Sequence, residues 1–182
     1  WDARFSHAEP SLRAHLAEVG ELRALEGGTQ VATVRFPAAN VEGDEFITES
    51  LAEYSALMVL KQKYGDAKMR RFLKYELDRY LAGRGGELVA EMPLMLVESQ
   101  PYIHYRKGSV VMYALKDYLG EDVVDRTLAR YDREKAFQQP PYTTTTEFLD
   151  DLRQEADPRW QPLIEDFFTK ITVFDNRVTE AT

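Results

Sequence analysis

Two carboxylates one helical turn apart, Glu49 and Glu53, stand directly before the run Ala56-Leu57-Met58-Val59-Leu60. Burying that run calls for a helix driven into a core, and the i, i+4 spacing then places both carboxylates on one of its faces. A carboxylate carried toward a core must find a partner. Glu49 in the first turn suits the positive end of the helix dipole, and Glu53 can turn to water. What lies opposite them decides whether they do more.

The rest of the chain reads as further helices cut by glycine and proline. Residues 9 to 26 carry Leu12, Leu16, Val19 and Leu22 near helical spacing, with Pro10 in the first turn and Gly27-Gly28 as the stop. Gln30 to Phe36 alternates with β-branched residues and predicts a short strand that Pro37 closes. A loop to Asp44 precedes the central helix, expected from about Thr48 to Tyr64 with Gly65 as its end. Asp66 is then the expected N-cap of a helix whose stripe Met69, Phe72, Leu73, Leu77, Tyr80 and Leu81 belongs to the core. The cluster Lys61, Lys63, Lys68, Arg70, Arg71 and Lys74 reads as a solvated face. Glu87 to Gln100, interrupted by Pro93, reads as a loop packed on the core. Helices from about Tyr105 to Leu119 and from Glu121 follow, and Gln138-Gln139-Pro140-Pro141 breaks the chain. Thr144 and Glu147 have capping-box spacing, and Asp157-Pro158 opens a last amphipathic helix before an extended stretch from Thr172 to Val178. The expected class is mainly α, with a strand or extended segment near residues 30–36.

Charge and composition narrow the function. A net charge of -8 excludes the clustered basic footprint of a nucleic-acid binder. No cysteine is present, so there is no thiolate ligand, thiol nucleophile or disulfide. No apolar run approaches the length of a membrane-crossing helix. The chain opens at Trp1 without a methionine, and a fragment of a longer protein is the expectation. His7 and His15 read as surface histidines.

The segment Tyr102-Ile103-His104-Tyr105-Arg106-Lys107-Gly108-Ser109 sets a phenol at a helix start beside two basic residues. A tyrosine so placed can donate a hydrogen bond to a developing oxyanion, with positive charge to assist it. His104 adjoins Tyr105, and neighbours on a helix point about 100° apart, so the two do not face the same site.

Together, Thr48-Glu49-Ser50-Leu51-Ala52-Glu53-Tyr54 and the later Tyr105-Arg106-Lys107-Gly108 resemble the gluzincin-type zinc aminopeptidases of the alanyl aminopeptidase family, in particular its bacterial branch. The resemblance implies that residues 40–182 are the helical half of a thermolysin-like metallopeptidase catalytic domain, with 1–39 outside the family pattern. It implies Glu49 as the third zinc ligand and Tyr105 as the catalytic phenol that stabilises the tetrahedral intermediate. The intact parent would bind zinc, cleave residues from the N-terminus of a peptide substrate and, because this branch is often fused to transporter-like segments, sit at a membrane. The family's HExxH is missing, and Glu26-Gly27-Gly28-Thr29-Gln30 stands where it would fall. With one carboxylate in place of three ligands and a base, the chain alone is expected to hold no zinc and to be an inactive fragment. The alternative expectation is a peptidase-like helical module that binds without catalysis.

Overall fold

The computed structural model describes residues 43–139 and 141–171 in full and the backbone of three strands, and its architecture is mainly helical. The strands are β1 (Asp2–Phe5), β2 (Gly20–Ala24) and β3 (Gln30–Val34), in one antiparallel sheet of order β1-β3-β2. Strand β3 falls within the stretch whose alternation predicts it. Strand β2 falls inside the helix expected over residues 9–26, and corrects it there. Leu22 lies opposite Ala32 and Arg23 opposite Val31, so long-range pairing with β3 overrides a weak local periodicity. The remainder of that expected helix, His7, His15 and the extended segment from Thr172 lie outside the described residues.

The helical layer begins with a π-helical turn at Phe46–Ser50 that runs into α1 (Leu51–Tyr64). Gly65 ends α1 at a φ of 76°, where the first residue past a helix favours glycine. Helix α2 (Asp66–Gly86) follows at once. Asp66 is its first residue and makes no cap hydrogen bond, so Gly65, not Asp66, holds the N-cap position. A 3-10 turn at Leu94–Leu96 buries Leu94, and the same loop buries Val97, as its apolar composition requires. A second π-helical turn, Tyr102–Lys107, leads into α3 (Gly108–Leu119). Helix α4 (Glu121–Lys135), α5 (Thr145–Glu155), a 3-10 turn at Pro158–Trp160 and α6 (Gln161–Thr169) complete the order.

Helix α1 packs on α2 and α3, and α4 on α5. Phe46 ties the two groups: its ring lies 5.4 Å from Phe148 of α5 and 5.1 Å from Phe168 of α6. The stripe on α2 is only half covered. Met69 is buried and Phe72, Leu73 and Tyr80 pack on the core, whereas Leu77 is 44% and Leu81 54% exposed. Helical spacing shows that these residues share a face, but not whether another element reaches the far end of it.

The predicted capping box is present. Thr144 Oγ1 accepts from the Glu147 N–H, and the Glu147 carboxylate accepts from the Thr144 N–H at 3.1 Å. Thr144→Ala should remove about 1 kcal/mol of stability, a fall of roughly 2–4 °C in Tm by calorimetry.

The two π-helical turns approach each other closely. Ser50 Oγ donates to the His104 carbonyl at 2.6 Å, and a Cβ added to Gly108 would stand 2.5 Å from Ser50 Cβ. The turns can touch only because position 108 has no side chain. Gly108→Ala should destabilise by about 2–3 kcal/mol, or roughly 4–12 °C in Tm. Gly85→Ala, with nothing within 4 Å of its Cβ, should instead leave Tm unchanged or raise it slightly.

Candidate functional site

Each π-helical turn carries one of the two residues singled out in the sequence. π-helical turns insert an extra residue into a helix and occur often at functional sites. Glu49 lies in the first and Tyr105 in the second. The fold brings them near each other: the Glu49 carboxylate lies close enough to the Tyr105 phenol to raise its pKa. Burial raises the pKa of the Tyr105 phenol, and the nearby Glu49 carboxylate and the charges of Glu45 and Glu53 raise it further. All of these favour the neutral form, which is the one able to donate.

Glu45, Glu49 and Glu53 recur every fourth residue and line one side of this contact. The carboxyl of Glu53 is raised above its ordinary value, first by burial, then by Glu76 and Glu49, against a lowering by Arg106. Arg106 lies between two carboxylates, 2.8 Å from Glu76 Oε2 and 3.4 Å from Glu53 Oε1. Its guanidinium also stands 5.9 Å from the ring centre of Tyr105. Glu76, on α2, is 5% exposed. His104 is 4% exposed and places Nδ1 2.6 Å from Glu45 Oε2, and its ring meets the Tyr105 ring edge-on at 4.4 Å, so the two neighbours lie closer together than a 100° separation on a helix predicts.

The positive charge expected to assist Tyr105 is committed elsewhere. Lys107 Nζ donates to Glu91 Oε1 at 2.6 Å, and Glu91 Oε2 accepts from Arg84 Nε at 2.6 Å and from the Tyr80 hydroxyl at 3.0 Å. Burial acts to raise the Glu91 carboxyl, but the bonds from Lys107, Arg84 and Tyr80 outweigh it and hold it below its ordinary value. The Tyr80 phenol is pushed up to about 12, by burial first and then by Glu91. Glu91 thereby pins the loop before the second π-helical turn to α2 and to Lys107. Its pairing stabilises the fold above the ordinary carboxylate pKa, and that stability is lost as pH falls through the lowered value. Glu91→Gln should cost about 1–3 kcal/mol at pH 7, and the Tm gap to the native chain should narrow between pH 5 and pH 3. A gap that stays constant over that range would show that the Glu91 charge is not what holds the loop.

A zinc site needs three protein ligands. Among the described residues no group of three or more His, Cys, Asp or Glu could hold a metal ion. Glu49 therefore has no companion ligands there, and zinc does not fit the donor set at hand.

Comparison with known proteins corrects the family reading. No family model and no solved structure matches the chain. A 2,3-diketo-5-methylthiopentyl-1-phosphate enolase of Microcystis aeruginosa is 44% identical over 57 residues, which are 30% of this chain and 15% of that protein. An enolase of the same name from a specified strain of that organism is 42% identical over 57 residues, with the same coverage. The chain thus matches only about 15% of the length of these curated relatives. The resemblance to zinc aminopeptidases is overturned, and with it the peptide substrate and the metallopeptidase activity: the sequence similarity found lies with enolases. The physical weakness was the motif itself. By the resemblance Glu49 would be one zinc ligand of three and Tyr105 a catalytic phenol, and without the histidine pair the two specify no metal chemistry. Among the described residues no helix is long and apolar enough to cross a membrane.

Proposed function

We propose that the facing π-helical turns form an acid–base wall that enolises a carbonyl substrate. The observation that carries this reading is the placing of Glu49 and Tyr105 on two π-helical turns in contact with each other, with the Glu49 carboxylate near enough to raise the Tyr105 phenol. Enolisation needs a base for a carbon-bound proton and a donor for the oxygen that becomes negative. In the proposed step a substrate carbonyl oxygen accepts from the Tyr105 O–H. The Glu49 carboxylate takes the proton from the adjacent carbon, the C–H electron pair forms the carbon–carbon double bond, and the carbonyl π pair moves onto oxygen. Reprotonation by Glu49 reverses it. A carboxylate base beside a neutral donor held in that form by its surroundings is an established pattern for this chemistry.

The similarity to proteins named as enolases of a diketo phosphate supports the reaction class. Arg106 and Lys107 are already paired with buried carboxylates, so residues outside this wall would hold a substrate phosphate. No step passes through a metal. As a metal ligand Glu49 would be a single donor, completed by residues outside those described. We also propose, for architecture only, descent from the helical half of a thermolysin-like domain. That rests on the helical layer and brings no peptidase activity with it.

The test is solvent deuterium incorporation at the carbon beside the carbonyl of a 2,3-diketone 1-phosphate, followed by proton NMR with the full chain. Incorporation above the buffer rate is expected. A rate equal to that of buffer removes the proposal.

A further inference from the structure

One pair beside the Glu49–Tyr105 wall takes no part in the proposed step. His104 is buried and fixed at two points: Nδ1 stands 2.6 Å from Glu45 Oε2, and the backbone carbonyl accepts from Ser50 Oγ at 2.6 Å. A carboxylate only accepts hydrogen bonds, so Nδ1 carries a proton and donates. Glu45 is fixed in its turn. The same Oε2 accepts from the Ser99 N–H at 2.7 Å, and Ser99 holds a φ of 57°, a left-handed backbone that few residues other than glycine adopt. Such a backbone persists only where its surroundings hold it, and the Glu45 carboxylate meets its N–H. One side chain, just before the first π-helical turn, thus ties the loop at Ser99 to the second π-helical turn at His104.

The ring held in this way touches the phenol. The His104 and Tyr105 rings lie 4.4 Å apart with 71° between their planes. Tyr105 itself is half-buried, and the direction of its O–H follows from its side-chain torsions. A tyrosine with one side open to water hops among rotamers unless a fixed neighbour removes the others. Arg106, held by Glu76 and Glu53, meets the same ring at 5.9 Å and leaves it less room still. We infer that Glu45 and His104 are positioning residues for Tyr105: Glu45 locks the His104 ring, and that ring sets the direction of the Tyr105 hydroxyl. The effect on rate rests on the enolisation reading, whereas the control of the phenol's direction does not.

NMR of the full chain with labelled tyrosine, assigned with Tyr105→Phe, reads the Tyr105 rotamer populations from side-chain couplings, beside the deuterium exchange rate. The native chain should show one dominant Tyr105 rotamer. Glu45→Ala and His104→Ala should each spread Tyr105 over more than one, and lower kcat by about tenfold with KM within about twofold. Glu45→Gln removes the charge but keeps a carbonyl oxygen to accept from Nδ1, so it should restore the single rotamer and most of the rate. The Glu45 side chain is 26% exposed, so Glu45→Ala carries the test if His104→Ala fails to fold. A folded Glu45→Ala that keeps one rotamer would overturn the inference, whatever its Tm. So would a Glu45→Gln variant as disordered at Tyr105 as Glu45→Ala, which would make the charge and not the hydrogen bond the cause. If the native chain exchanges no faster than buffer, the enolisation reading falls and the rotamer populations alone decide the positioning.

Discussion

Tyr105→Phe is expected to lower the rate of carbonyl enolisation by about 10²–10³-fold, because the phenol is the donor aimed at the developing oxyanion. The substitution removes one oxygen and keeps the ring, so the contact with His104 at 4.4 Å and the stacking of Arg106 survive. Tm should change by little, because the ring packing is kept. The loss should fall on kcat more than on KM, since the bond strengthens as charge moves onto the oxygen. Its pH dependence follows from the same environment. The phenol's pKa is raised by burial and by the nearby Glu49 carboxylate, and the neutral form is the active one, so the alkaline limb of kcat should lie above the ordinary tyrosine value of about 10. A limb below that value, or a Phe variant with unchanged kcat, would take Tyr105 out of the mechanism.

Glu49→Gln should be at least as damaging, about 10²–10⁴-fold, because an amide cannot accept the carbon-bound proton. The substitution keeps the size of the side chain and leaves the contact of Ser50 with the His104 carbonyl and Gly108 intact, so the turn-to-turn contact and the fold should persist. The two effects can therefore be separated. Loss of exchange with an unchanged melting curve identifies Glu49 as the base, whereas equal losses in exchange and in Tm would make it a structural acceptor for Tyr105.

The elements whose determinants are local were legible. Gly65 and Gly120 end helices at positive φ, and the Thr144–Glu147 capping box is written in three-residue spacing. The site was legible in part. Four-residue spacing placed Glu49 and Glu53 on one face, and a phenol at a helix start drew attention to Tyr105. Their juxtaposition depends on Gly108 lying against Ser50, a contact between segments distant in sequence that no local pattern records. The same is true of Glu76 and Glu91. Glu76 sits among ordinary charges of a helix and Glu91 in an apolar loop, and only the packing around the second π-helical turn sets them against Arg106 and Lys107. Glu45 did carry a signal, since it continues the spacing of Glu49 and Glu53 by one more turn. Strand β2 was not legible, because at Leu22 the end of a helical periodicity gave way to pairing with β3.

The most direct measurement is a double-mutant cycle on the deuterium exchange rate, with the native chain, Tyr105→Phe, Glu49→Gln and the double variant. If phenol and carboxylate act as one unit, the double variant should be about as slow as the slower single variant. Multiplicative losses, or a native chain that exchanges no faster than buffer, would contradict the account.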